Sequence, residues 1–173
     1  MSDFSKKELE QLKNAIRRME PSALPFERIK FSRVLEEGEA DIEPFISSFF
    51  LPSKQDYPSC RVPISIGNLK EAIRDDDKAI AEYKYIWVID YDGFRMILDK
   101  TPNPNARRGN VCHTNLTGGK SALMGGELWV DSNQTVYINF LSGRYGRGST
   151  NEQKKGAIEY FEVYYGSSLE ICY

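Results

Sequence analysis

Apolar residues along this chain recur first at helical spacing and later in alternation. In "SKKELEQLKNAIRRME" Leu9, Leu12, Ile16 and Met19 share one helical face, Ser5 and Glu8 make a capping box, and Pro21 stops the run. The following stretch is broken by five prolines up to Cys60 and keeps no long period. It predicts short turns and loops, with "FISSFFL" as a buried apolar piece. A second helix is predicted in "NLKEAIRDDDKAIAEY", where Asn68 is the cap and Glu71 follows three residues on.

From there the pattern changes to strands. "YKYIWVIDYDGFRMILDK" is two β-rich runs joined at Asp92-Gly93, a strong hairpin signal. "GGELWVDSNQTVYINF" repeats the scheme around a polar turn at Asp131 to Gln134. A C-terminal helix is then expected, capped by Ser149 with Glu152, with Ala157, Ile158, Phe161 and Tyr165 on its apolar face and Gly166 as its stop. "SLEICY" reads as a closing strand. The prediction is an α+β fold: an antiparallel sheet of about five strands, made of two hairpins and a C-terminal strand. The C-terminal helix lies on one face, and an N-terminal helical part lies beside the sheet. Residues 1–173 read as one domain, mainly helical over 1–84 and sheet-and-helix over 85–173.

Composition narrows the class. Hydrophobic residues make up 40 % of the 173 and charged residues 28 %, which is globular usage. No apolar run is long enough to span a membrane, and the polar start lacks a signal-peptide pattern. A cytoplasmic protein is the expectation, with export by a route that needs no signal peptide left open. Three cysteines without a CxxC pair and a single histidine argue against a structural metal site. No cofactor is implied either.

Charge is unevenly distributed about the net value of −2. Residues 1–94 carry 14 Lys or Arg against 18 Asp or Glu, whereas residues 95–155 carry 9 against 4. A basic region inside an acidic chain favours a small anionic ligand or an acidic protein segment over general nucleic-acid binding.

Two glycine-rich loops stand out in that region. In "SGRYGRGST" Gly143, Gly146 and Gly148 let backbone amides turn toward a ligand, and a helix N-terminus follows. Arg144 and Arg147 add guanidinium groups suited to phosphate or carboxylate, Tyr145 adds a ring for stacking, and Ser142 and Gly143 complete the loop. The bland reading is a flexible connection with solvated arginines. In "NVCHTNLTGGKSALMGGELWV" the end of a phosphate loop is present at Gly119, Lys120 and Ser121, but Thr114 stands where its first glycine belongs. A Walker-type NTPase is therefore rejected. What remains is a polar cluster of His113, Thr114, Asn115, Thr117 and Lys120, followed by Glu127. His113 titrates nearest neutrality and Glu127 can act as base or orienting carboxylate, so these two are the acid–base candidates. Their plain alternatives are a hydrogen-bonding core histidine and a solvated strand residue. Cys112 is a poor nucleophile candidate because neighbouring strand residues point to opposite faces. Arg107 and Arg108 read as loop residues that could guard a pocket rim, and Trp87 and Trp129 as core.

The segments "HTNLTGG", "GGELWV" and "SGRYGRGS" form a recurring pattern: His-Ser/Thr ending in Gly-Gly, a short Gly-Glu-Leu strand, and Ser-Gly-His/Arg-Tyr before a helix. Over about residues 85–166 the chain resembles C-terminal domains of some bacterial toxin-like or effector-like proteins. More distantly it resembles a region of plant calmodulin-binding proteins of the IQ-motif class. The chain departs from the commoner form, with Arg144 where His is usual and no proline after Tyr145. The resemblance implies that His113, Gly119, Glu127, Ser142, Gly143, Arg144 and Tyr145 belong to one site or one structural core.

Three function classes follow. The first is an effector-type enzyme on a nucleotide-like or phosphorylated ligand, with His113 and Glu127 as acid–base groups and Lys120, Arg144 and Arg147 holding the anion. An ADP-ribosyl-transfer variant with His113, Tyr137 and Glu127 fits poorly in chain order. The second is a non-catalytic binding module using the same loops. The third is an immunity- or adaptor-type interaction protein, whose signature would be an exposed apolar patch around "FISSFFL" or a broad acidic face.

Overall fold

The protein, described from a computed structural model, is seen over residues 4–20, 35–49, 84–130, 134–146 and 149–171. The predicted second helix, the acidic run Asp75 to Asp77, Cys60, Cys172, the turn residues 131–133 and Arg147 lie outside the described residues.

Helix α1 spans Lys6–Met19. Its capping box is the predicted one: Glu8 N–H donates to Ser5 Oγ at 3.2 Å and Ser5 N–H donates to the Glu8 carboxylate at 2.8 Å. Strands β1 (Tyr85–Asp90) and β2 (Gly93–Leu98) form the first hairpin. Its two-residue loop is Tyr91-Asp92, one residue earlier than expected, because Asp90 pairs with Gly93 across the strands. The Asp90 carboxylate also accepts the amides of Asp92 and Gly93. A five-residue helix α2 (His113–Thr117) precedes β3 (Met124–Val130), which pairs with β4 (Val136–Ile138) as the second hairpin. Helix α3 (Asn151–Tyr165) and β5 (Leu169–Ile171) follow.

The sheet order is β2-β1-β3-β4-β5. The α+β class stands, with one change to the expected all-antiparallel sheet: β5 lies parallel to β4. The cause is the connection. The chain leaves β4, crosses one face through α3 and returns in the same direction, which is the geometry a helical crossover imposes.

That face carries the main core. Trp87, Ile89, Met96, Leu128 and Ile138 pack with Leu12, Ala15 and Met19 of α1 and Ala157, Phe161 and Tyr165 of α3. The N-terminal helix thus shares the core of the sheet. Arg18 of α1 bridges to Glu152 at 3.0 Å, and also to Glu159 of α3. Helix α3 starts one residue later than predicted. Thr150 and Gln153 form its capping box, while the Ser149 hydroxyl turns back to the carbonyl of Gly146. Trp87 and Trp129 are fully buried, as expected.

The other face is covered by loops and not by a long helix. Ile86, Val88 and Ile97 pack there with Val111, Leu116 and Ala122, with Tyr145, and with Phe45 from a 3-10 turn at Glu43–Ser48. Strand β1, covered on both sides, is buried at every position. No helix among the described residues is long and apolar enough to cross a membrane.

Candidate functional site

The two glycine-rich loops meet on the loop-covered face. Tyr145 is buried, and its hydroxyl donates to the Lys120 carbonyl at 2.6 Å while accepting from Thr117 Oγ1 at 2.7 Å. Burial pushes its phenol up to about 12, so it keeps its proton and serves as a tie between loops. It presents no free face for stacking.

The "TGGK" glycines serve the backbone. Gly118 ends α2 in the left-handed conformation with φ +66°, the geometry of a glycine C-cap. Several other expected ligand-binding groups are also committed within the protein. Asn115 is fully buried: its amide donates to the carbonyls of Gly38 and Asp41, both at 2.7 Å, and its carbonyl accepts from Cys112 N–H at 3.0 Å. Thr114 is buried with its hydroxyl 3.1 Å from Cys112 Sγ. Ser142 Oγ accepts the amides of Arg144 and Tyr145. Lys120 is exposed and lies outside the lining of the cleft described below.

Arg144 has a different partner from the one its loop suggested. Its guanidinium pairs with Glu39 at 2.5 Å, and both side chains are nearly covered, at 11 % and 14 % exposure. Glu39 belongs to the acidic segment 36–41, which Asn115 clamps against α2. Truncating one member of a covered pair strands the other charge. Arg144→Ala should therefore cost about 3 kcal/mol in urea unfolding, and the double variant with Glu39→Ala should recover part of that loss.

A cleft of about 550 Å³ opens beside this tie. Its walls come from three separate segments: His113 from "HTNLTGG", Glu127 from "GGELWV", and Ser142 with Gly143 from "SGRYGRGS". Glu127 sits mid-strand in β3 opposite Ile86 of β1, so both face the loop layer. Its carboxylate is paired with Lys84 and accepts from Asn139 Nδ2 at 3.2 Å. Asn139 Oδ1 accepts the amides of Glu127 and Leu141, which couples the carboxylate to the cleft wall. On the opposite side Asp99 and Arg108 pair at 2.6 Å, and Asp99 N–H donates to the Lys84 carbonyl at 2.9 Å.

His113 begins α2 and is nearly covered, at 9 % exposure. Its Nε2 lies 2.9 Å from the Gly126 carbonyl. A carbonyl only accepts, so Nε2 carries the hydrogen and Nδ1 is the basic nitrogen of the neutral ring. Nδ1 has no hydrogen-bond partner among the described residues. Burial lowers the His113 pKa from its ordinary 6.5, opposed in part by the Gly126 carbonyl and by the Glu127 charge, so the ring is neutral at pH 7.

That shift has a stability consequence. As pH falls below about 6.5 the unfolded chain takes up the proton before the folded one, so stability drops until the lowered folded pKa is reached. Above 6.5 the contribution is flat. Urea midpoints compared at pH 7.5 and 5.5 should fall further for the wild type than for His113→Gln.

Sequence reasoning missed Lys84 and Asp99 as cleft residues and Asn139 as the support of Glu127. A parity signal existed for Lys84, since residues 84 and 86 lie on the same side of an alternating run and Ile86 faces Glu127. Arg108 was read as a rim residue, and it lines the cleft. Cys112 is the N-cap of α2, a free thiol whose pKa is raised by burial, which is unsuited to a nucleophile. No group of His, Cys, Asp and Glu able to hold a metal occurs among the described residues.

Comparison of the chain with family models, curated proteins and solved structures finds no significant match, so its function has to be read from the cleft itself.

Proposed function

We propose that the cleft binds a nucleotide-like ligand and that His113, with Glu127, performs proton-transfer chemistry on it. One observation carries this reading: His113 and Glu127, together with Ser142 and Gly143, line a single cleft although they come from three separate segments. A neutral, covered imidazole whose Nε2–H is fixed by a backbone carbonyl is a base with one defined basic atom. Its role is to take a proton from a hydroxyl or a water. Glu127, held by Lys84 and Asn139, orients that donor. Arg108 is half exposed and uses one guanidinium nitrogen on Asp99, which leaves N–H groups for the anionic part of the ligand.

The resemblance to effector- and toxin-like domains supports the same reading, since its three segments supply these walls. The anion, expected on Lys120, Arg144 and Arg147, is assigned to Arg108 instead, because Arg144 is held by Glu39 and Lys120 does not line the cleft. A non-catalytic binding module is the second reading, favoured by the fact that both cations and both carboxylates of the cleft are already paired. The interaction-protein reading has less support. Phe45 is buried, and Ile46 is the one strongly exposed large apolar residue among the described part of "FISSFFL".

Thermal unfolding with a panel of mono-, di- and dinucleotides tests the proposal. A ligand at a hundredfold excess over Kd stabilises the native state by about 2.7 kcal/mol. The upward shift should appear in the wild type and shrink in His113→Gln and Glu127→Gln. Absence of a shift with every ligand contradicts it. Binding without turnover under any condition selects the binding module.

A further inference from the structure

The charges of the cleft say more about the ligand than its volume does. Lys84 is matched by Glu127 and Arg108 by Asp99, with Lys84, Glu127 and Asp99 each less than a fifth exposed. The cleft is therefore balanced, with two fixed carboxylates and two cations around a neutral histidine. A phosphate pushed into its centre would meet both carboxylates, with Lys84 and the inward, Asp99-bound side of Arg108 already neutralised. A cation would meet the converse. The group that fits is uncharged and rich in both donors and acceptors.

Among the described residues each carboxylate keeps unused acceptor sites. Glu127 receives Lys84 and Asn139 on about four lone-pair positions, and Asp99 receives Arg108. His113 Nδ1 is a further acceptor with no partner among the described residues, on a side chain more than nine-tenths covered. Lys84 and Arg108 supply donors between them. Three acceptors and two donors around one small space match neighbouring hydroxyl groups, each of which donates once and accepts as well. Ile86 and Phe140 add apolar lining for the carbon skeleton of such a group. Resting on the nucleotide-like reading above, we infer that the part of the ligand held in the cleft is a sugar ring with vicinal hydroxyls. One hydroxyl donates to Glu127 and another to Asp99 or to His113 Nδ1. The anionic end then lies outward, at the exposed side of Arg108.

The ligand class and its subsite separate in one experiment on the full chain. Calorimetric titrations would use AMP, its 2′,3′-dideoxy analogue, ribose 5-phosphate, ribose and inorganic phosphate. AMP is expected to bind at least tenfold more tightly than the dideoxy analogue. Both Glu127→Gln and Asp99→Asn should reduce that ratio toward one, with folding of each variant checked by its unfolding midpoint. Equal affinity for AMP and its dideoxy analogue overturns the sugar subsite and leaves the nucleotide reading in place. Binding of ribose as tight as that of ribose 5-phosphate and AMP keeps the sugar subsite and overturns the anionic one. If no compound in the set binds, both are overturned.

Discussion

Alanine at Gly126 is expected to destabilise the protein by at least about 3 kcal/mol, beyond the usual cost of an overpacked core position. A Cβ at Gly126 would lie 2.0 Å from the Asn139 carbonyl oxygen and 2.6 Å from the Trp87 ring. Neither neighbour is free to withdraw. Asn139 N–H donates to the Glu127 carbonyl at 3.0 Å, and the Trp87 indole N–H donates to the same carbonyl at 2.9 Å. Trp87 is fully buried against Phe161, with ring centroids 4.7 Å apart. The strand must therefore part from Asn139, which also releases Glu127. Urea unfolding measures the loss, and a Gly126→Ala protein with wild-type stability would refute this account of the Gly-Gly pair.

Asn115→Asp has the second large effect, about 4 kcal/mol at pH 7. The side-chain amide satisfies the carbonyls of Gly38 and Asp41, and a carboxylate in its place would face both as an acceptor against acceptors. The segment 35–49 would lose its clamp. The sign of the pH dependence follows. Burial among acceptors raises the new carboxyl's folded pKa above its unfolded value, so the defect is full above the folded pKa. It shrinks as pH falls through that value, when the protonated acid donates one hydrogen bond. Chemical unfolding at pH 7 and pH 5 shows the trend, and limited proteolysis within residues 35–49 reports the released segment. A defect independent of pH would mean that Asn115 acts through shape alone.

Much of the fold was legible because its signals are local. The Ser5–Glu8 box, the Asp90–Gly93 hairpin and the alternation of β1 each depend on residues within a few positions of one another. The parallel placement of β5 was not, since strand direction is decided by the path of α3 across the sheet and not by "SLEICY". The one-residue shift of the α3 cap has the same character: Ser149 and Thr150 are both competent caps, and the bond from Ser149 to Gly146 decides between them.

The candidate site was legible in part. His113 and Glu127 were marked by residue type, and the structure brings both to one cleft. Arg144 misled because its partner Glu39 lies 105 positions away in a segment with no periodicity. Asn115 looked like a polar ligand-binding side chain because sequence shows its chemistry and not its burial. The loss of a hydrogen-bonding group inward is invisible without the fold. Lys84 and Asp99 flank apolar strands, where charges are usually solvated ends; the pairing of β1 with β3 brings Lys84 to Glu127, and the loop closed by the Pro102–Asn110 bridge brings Arg108 to Asp99.

The central claim is that this cleft, and not the guanidinium of Arg144 beside it, receives the ligand. Backbone amide shifts followed by NMR during titration of the full chain with AMP test it most directly. The predicted outcome is that the largest changes fall on Lys84, Asp99, His113, Glu127 and Gly143. Changes centred on Glu36, Glu39 and Arg107, or on the α1–α3 surface, would contradict it.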